Sequence, residues 1–302
     1  MLPSLHLHAY RARLRTLAPL AFTGFPGPAL RGALGDDPEV YARLLAPPPT
    51  LPQKRFSDPP RPLLLRPRFG AGEYGEGSAL ELDFTLVGRA GAHLPAVVRA
   101  LARLGERGVG EGRHAGLGRF EVERVDALGP GGASAAVVSP QGMFRPVSLP
   151  WSYPDHFSAG PKSIDHPFRL RLETPTFVNA HGLARGSLHL GDVVVDLLRR
   201  LSLFAQAYGD GPVHSRDEER AWERAAAGTR IADASLRWVA VHRFSRKQQR
   251  AMEFGGWLGW VEYDAEAAAW LPLLRAARLL HVGKHTAFGF GAARADARRG
   301  AQ

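Results

Sequence analysis

"ALELDFTLVGRAGAHLPAVVRALARLGERGVGEGRHAGLGRFEVERV", residues 79–125, changes its hydrophobic period twice, and those changes decide the fold. Leu80, Leu82, Phe84 and Leu86 alternate, the period of a half-buried strand. After Leu94 and Pro95, residues Val97, Val98, Leu101 and Leu104 take helical spacing; proline is tolerated in a helix's first turn. A glycine-rich loop follows, and "FEVERV" reads as a closing strand. A second stretch, "GWLGWVEYDAEAAAWLPLLRAARLLHVGKHTAFGFGAARADA", residues 256–297, runs through the same order. Here Trp270, Leu273, Leu274 and Ala277 keep the helical spacing around Pro272, and "FGAARA" closes.

The segments in front of these stretches also correspond. "LHAYRARLRTL" alternates like a strand, and "PGPALRGALGDDPEVYARLL" reads as a helix interrupted near Gly35. In the second half "FRLRLETPTFV" is the strand and "LGDVVVDLLRRLSLFAQAYG" the helix, with Val194, Leu197, Leu198 and Leu201 on one face. Each half is thus β-α-β-β-α-β. The fold class is α+β, with two tandem ferredoxin-like (RRM-like) domains, residues 1–127 and 166–302. Residues 128–165, rich in Gly, Pro and Ser, have linker chemistry.

The chain has 302 residues, 45% of them hydrophobic, and no cysteine. That excludes disulfides and cysteine-held metal sites. No apolar run is long enough to span a membrane, and the first residues lack the apolar core of a secretory signal. A cytoplasmic protein without a membrane partner is expected. The formal charge of +10 favours a polyanionic partner, because each cation placed on a phosphate releases condensed counterions.

Two glycine motifs test nucleotide binding. "HVGKHTAFGFG", residues 281–291, lacks the Walker pattern: Arg278 stands at the first glycine place and His285 follows Lys284. "GAGEYG", residues 70–75, satisfies G-x-G-x-x-G, but a strand follows where a dinucleotide fold needs a helix, so it reads as a hairpin turn. No cofactor is expected. His281 and His285 are four apart, yet Gly283 interrupts the helix and no carboxylate lies in the loop, so no metal site is expected either.

Two ferredoxin-like halves that each end on a glycine-rich loop resemble the RAMP superfamily of CRISPR proteins. The resemblance is greatest to the endoribonucleases that cut CRISPR precursor RNA within its repeats. It is carried by "GFPGPALRGALG", "RFSRKQQRAMEFGGWLGWVEY" and "LLHVGKHTAFGFGAA". It implies CRISPR repeat RNA, precursor and mature guide, as partner, with other effector subunits as further partners. It also implies that Gly283, Gly289 and Gly291, with Lys284, position RNA. Without a Cβ, a glycine backbone takes positive φ and brings its N–H groups near phosphate oxygens. His242, Arg243, Arg246, Lys247 and Arg250 put five potential cations within nine positions, and the resemblance implies that this hairpin meets the repeat's stem or flank. Arg113, His114 and Arg119 of the first loop add backbone-tracking cations.

Cleavage in that family resembles metal-independent transesterification, which needs a base, an acid and cations for developing charge. Many relatives carry a histidine in or before the first helix. Residues 19–46 of this chain hold Arg31, Tyr41 and Arg43 but no histidine. His285 adjoins the loop and leads the catalytic candidates. His8 on the first strand and His242 in the hairpin come next, with Arg31 and Tyr41 available for catalysis by positioning and charge. The alternatives are a non-catalytic RAMP subunit that holds guide RNA in an effector complex, and a generic RNA-binding module.

Overall fold

The structure, a computed structural model, describes residues 4–48, 60–153, 155–157, 167–179, 186–245, 250–264 and 269–297. Two compact units emerge. One comprises His6–Trp151 with Ala207–Gly209, the other Met1–Leu5, Ser152–Gln206 and Asp210–Gln302. We call them the first and second unit. Among the described residues no helix is long and apolar enough to cross a membrane.

The first unit runs β1 (Leu5–Thr16), β2 (Leu20–Phe22), α1 (Gly27–Leu34), α2 (Pro38–Val40), β3 (Leu63–Pro67), β4 (Gly72–Tyr74), β5 (Ala79–Val87), α3 (Leu94–Arg107), β6 (Phe120–Leu128) and β7 (Ser134–Val138). Its main sheet has the order β3-β5-β1-β6-β7, so the first four form the ferredoxin-like core and β7 extends its edge. Residues 128–165, loop-like in sequence, therefore include a sheet strand. The first helix stops at Gly35, restarts at Asp37, whose carboxylate accepts from the Glu39 and Val40 amides, and widens into a π turn over Tyr41–Leu45. The "GAGEYG" segment lies between antiparallel β3 and β5, where β4 pairs with β2, and a strand follows it.

Helix α3 buries Val97, Leu101 and Leu104, each burial contributing about 1.5–3 kcal/mol. The opposite sheet face carries charge instead. Arg11 Nε donates to Asp83 at 2.8 Å, Arg15 Nε to Glu123 at 2.9 Å and Arg124 Nε to Asp126 at 2.7 Å, with Arg66 also on Asp83. These arginines are matched by carboxylates, so they add little to the basic surplus.

β8 (Trp151–Tyr153) precedes the second unit's own set: β9 (Phe168–Thr176), α4 (Leu190–Tyr208), α5 (Arg216–Ala227), β10 (Ile231–Ser245), β11 (Arg250–Tyr263), α6 (Leu271–Arg275), α7 (Ala277–Leu280) and β12 (Ala293–Ala297). The order β10-β11-β9-β12 repeats the ferredoxin-like path. The single helix expected over the Leu-Pro stretch is two short ones. The Ala276 amide is shared between the Leu273 and Leu274 carbonyls, which tightens the turn there. Helix α5, opened by a Ser215–Glu218 capping box, is an addition within residues 208–232.

Candidate nucleic-acid interface

Helix α7 ends on a loop tied down at every turn. Val282 N–H donates to the Gly291 carbonyl at 2.8 Å, and Gly291 N–H to that of Pro175 at 2.9 Å. Lys284 N–H reaches the Phe177 carbonyl at 2.8 Å, Gly289 N–H that of Thr286 at 2.9 Å, and Gly283 N–H the Asp196 carboxylate at 2.6 Å. A Cβ on Gly291, at φ +83°, would stand 1.9 Å from the Val282 oxygen, and one on Gly283 2.1 Å from that of Phe177. These glycines are required by close backbone approach. Their amides are spent inside the fold, which corrects the expectation that those N–H groups reach for phosphate. What the loop offers outward is side chains: Lys284 is exposed and His285 partly so.

The first unit builds the same loop bond for bond. Val109 N–H donates to Gly118 O at 3.1 Å, Gly118 N–H to Pro19 O at 2.8 Å, and Glu111 N–H to Ala21 O at 3.0 Å. Residue by residue, Gly108 corresponds to His281 and Gly112 to His285. Gly108 (φ 78°, ψ 161°) matches His281 (58°, 165°), and Gly112 (69°, 8°) matches His285 (62°, 18°). Among the described residues, these histidines are the non-glycine residues at positive φ. Such conformations cost on the order of 1–3 kcal/mol each and collect at functional sites.

Each histidine has a distinct setting. His281 is buried, with Nδ1 2.8 Å from the Phe290 carbonyl. A carbonyl only accepts, so Nδ1 carries the proton. The His285 ring stacks on Phe254 of β11 at 4.6 Å and 22° and meets Phe290 edge-on at 5.9 Å. Burial, then the Lys284 charge, lower its pKa, which favours the neutral ring. Beneath the loop, burial raises the Asp196 carboxyl, opposed by Arg200 and the Gly283 amide. Arg200, itself pushed down by burial, donates to the Leu280 carbonyl at 2.8 Å. Asp196 and Arg200 thus anchor both ends of the α7-to-loop junction onto α4.

The structure brings Gly283, Lys284, His285, Gly289 and Gly291 together with Phe254. His242, Arg243 and Arg250 take backbone places in the β10–β11 ladder, opposite Glu253, Met252 and Ser245; Arg246 and Lys247 lie outside the described residues. The remaining candidates belong to the first unit. On its loop Arg113 is partly exposed, and His114 and Arg119 are exposed. Arg31 Nη2 donates to the Leu45 carbonyl at 3.3 Å, and Tyr41 is 49% exposed on the π turn. His8 Nδ1 lies 2.6 Å from Ser148 Oγ, with its pKa lowered by burial and then by His6.

Residues 170–293 match the family model of the CRISPR-associated endoribonuclease Cas6. That stretch is therefore similar to the Cas6 endoribonucleases. Residues 36–149 match a second family model, described as an N-terminal domain. Solved structures agree on the fold. A Cas6 product complex is 23% identical, with 97% of this chain and 100% of that chain covered and a TM-score of 0.55. A Cas6 substrate mimic complex is 23% identical (96% and 99% covered, TM-score 0.53). A Thermus thermophilus Cas6 is 19% identical (97% and 99% covered, TM-score 0.53). No curated protein matches. Within residues 170–293, sequence reasoning passed over Asp196, Arg200, Phe254 and His281. The first two lie at the border of the apolar stripe of α4, beside Val193, where periodicity alone does not mark them.

Proposed function

We propose that this chain is a CRISPR precursor-RNA endoribonuclease that binds the repeat hairpin and cuts it by metal-independent transesterification. The observation that carries the reading is the match of residues 170–293 to the Cas6 family model, over a stretch closing on a loop that presents Lys284 and a strained His285. A ribose hydroxyl attacks the adjacent phosphorus, the bond to the 5′ oxygen breaks, and a cyclic phosphate and a 5′-hydroxyl result. Neutral His285 accepts the attacking hydroxyl's proton, and Lys284 stabilises charge gathering on the phosphate oxygens. A second group must protonate the leaving oxygen, with His8, His242, Tyr41 and Arg31 the groups to test. The stem is read through its A-form shape and phosphates by Arg243, Arg246, Lys247 and Arg250, with Arg113, His114 and Arg119 in support. Gly283, Gly289 and Gly291 serve by holding the loop's shape.

One feature favours a second reading, a guide-holding RAMP subunit without activity: residues 19–46 contain no histidine. Incubating the protein with its cognate repeat RNA separates the two. The enzyme cuts the repeat at one site and leaves a scrambled hairpin intact, whereas the subunit binds the repeat and releases it whole.

A further inference from the structure

Beside Lys284 lies a group of aromatic residues that the cleavage scheme does not use. Trp238 and Trp257 are directly opposed across β10 and β11, their rings 5.3 Å apart at 81°. Phe177, directly after β9, meets Trp238 edge-on at 6.1 Å. Lys284 Nζ stands 5.7 Å from the Phe177 ring. Unlike the core aromatics Phe168, Phe204 and Tyr263, all three of these rings are partly exposed.

Two adjacent glycines make room for the arrangement. A Cβ on Gly255 would fall 2.7 Å from the Trp238 indole, so the ring lies against bare β11 backbone. A Cβ on Gly256 would fall 2.5 Å from Thr176 N, so β9 can approach and bring Phe177 alongside.

The internal repeat shows that this surface is particular to one copy. The bond from Lys284 N–H to Phe177 O corresponds to the one from Glu111 N–H to Ala21 O. The first unit therefore has an alanine where the second has Phe177, and a carboxylate where the second has Lys284. The loop backbone is unchanged, while an aromatic ring and a cation have both been supplied. Aromatic faces interleaved with a cation are the chemistry that holds unpaired nucleotides, because every base has a π-face and every linkage a charge.

We propose that Phe177, Trp238 and Trp257, with Lys284, form a stacking surface for unpaired nucleotides flanking the repeat stem. This rests on the RNA-binding reading above and adds what part of the RNA is held and how. The test compares a repeat RNA that keeps its single-stranded flank with a trimmed hairpin that lacks it. Trp238→Leu should weaken binding of the flanked RNA by about tenfold, as expected of one lost base–aromatic stack, and change the trimmed hairpin by less than about twofold. Trp238→Phe should restore most of the loss, and neither variant should alter the salt slope. Equal effects on both RNAs, or none on either, overturn the proposal.

A measurement on the unaltered protein covers the case in which the leucine variant fails to fold. 2-Aminopurine in the flank should lose fluorescence on binding while the same probe in the stem does not; an unquenched flank probe overturns the proposal. If the protein prefers no repeat over unrelated RNA, the functional reading fails. The surface must then still bind an unstructured oligonucleotide in a Trp238-dependent way, or it falls too.

Discussion

Replacing His285 by glycine and, separately, by alanine separates what its backbone costs from what its ring does. Residue 285 sits at φ 62°, ψ 18°, where the first unit's loop has Gly112. An alanine there keeps the left-handed penalty, about 1 kcal/mol, and loses the ring stacked on Phe254, worth about another 1 kcal/mol. A glycine loses the same ring but sheds the penalty, so the two terms nearly offset. His285→Gly should therefore unfold near the wild-type midpoint. His285→Ala should lie about 1 kcal/mol below it in urea, or roughly 2–4 °C lower in Tm. Both variants should lose about 10²-fold in single-turnover cleavage, the usual size of a lost proton-transfer group, with repeat affinity little changed. Stability then follows φ while rate follows the imidazole. Equal stability of the two variants would refute the left-handed assignment. Wild-type cleavage by His285→Gly would remove the ring from catalysis.

Gly291→Ala places a Cβ 1.9 Å from the Val282 oxygen at φ +83° and should destabilise by more than about 2 kcal/mol, whereas Gly75→Ala, with nothing within 4 Å, should be nearly neutral in a denaturant titration. The His285 pKa is lowered from 6.5, so the acid limb of the cleavage profile should fall below pH 6.5 and disappear in His285→Gly; a limb at or above 6.5 would argue for another base. The same shift contributes stability above pH 6.5 that is lost as pH falls through the lowered folded-state value, because the unfolded chain then binds the proton more tightly. Replacing Arg243, Arg246 and Lys247 by alanine should flatten log K against log salt by roughly two to three units, and an unchanged slope would make the hairpin a merely solvated face.

Much of the fold was legible because it is written in local periods. The Leu80–Leu86 alternation and the Leu-Pro helices needed only neighbours a few residues away, and the repeat was visible as a repeated order of such periods. What escaped depends on distant partners. A glycine announces freedom in φ but not the fate of its N–H. The Gly283 amide ends on Asp196, 87 residues earlier in the chain, and that of Gly291 on Pro175. Strand β4 joins β2 through backbone bonds that do not depend on its side chains, and β7 lies within glycine- and proline-rich surroundings. The positive-φ histidines emerged by aligning the two loops bond for bond, since histidine's enrichment at positive φ is too weak to mark a single position. The aromatic surface was equally hidden, because Trp238 and Trp257 come from two strands and Phe177 from the residue that follows a third.

The most direct test of the central claim is the chemistry of the RNA ends after cognate repeat RNA is incubated with this protein in excess EDTA. Transesterification by side chains predicts one cut within the repeat, a cyclic phosphate on the upstream fragment and a 5′-hydroxyl on the downstream one, at a rate the chelator leaves unchanged. Tightly bound but intact RNA, or cutting that stops in EDTA and returns only with a divalent ion, would contradict it.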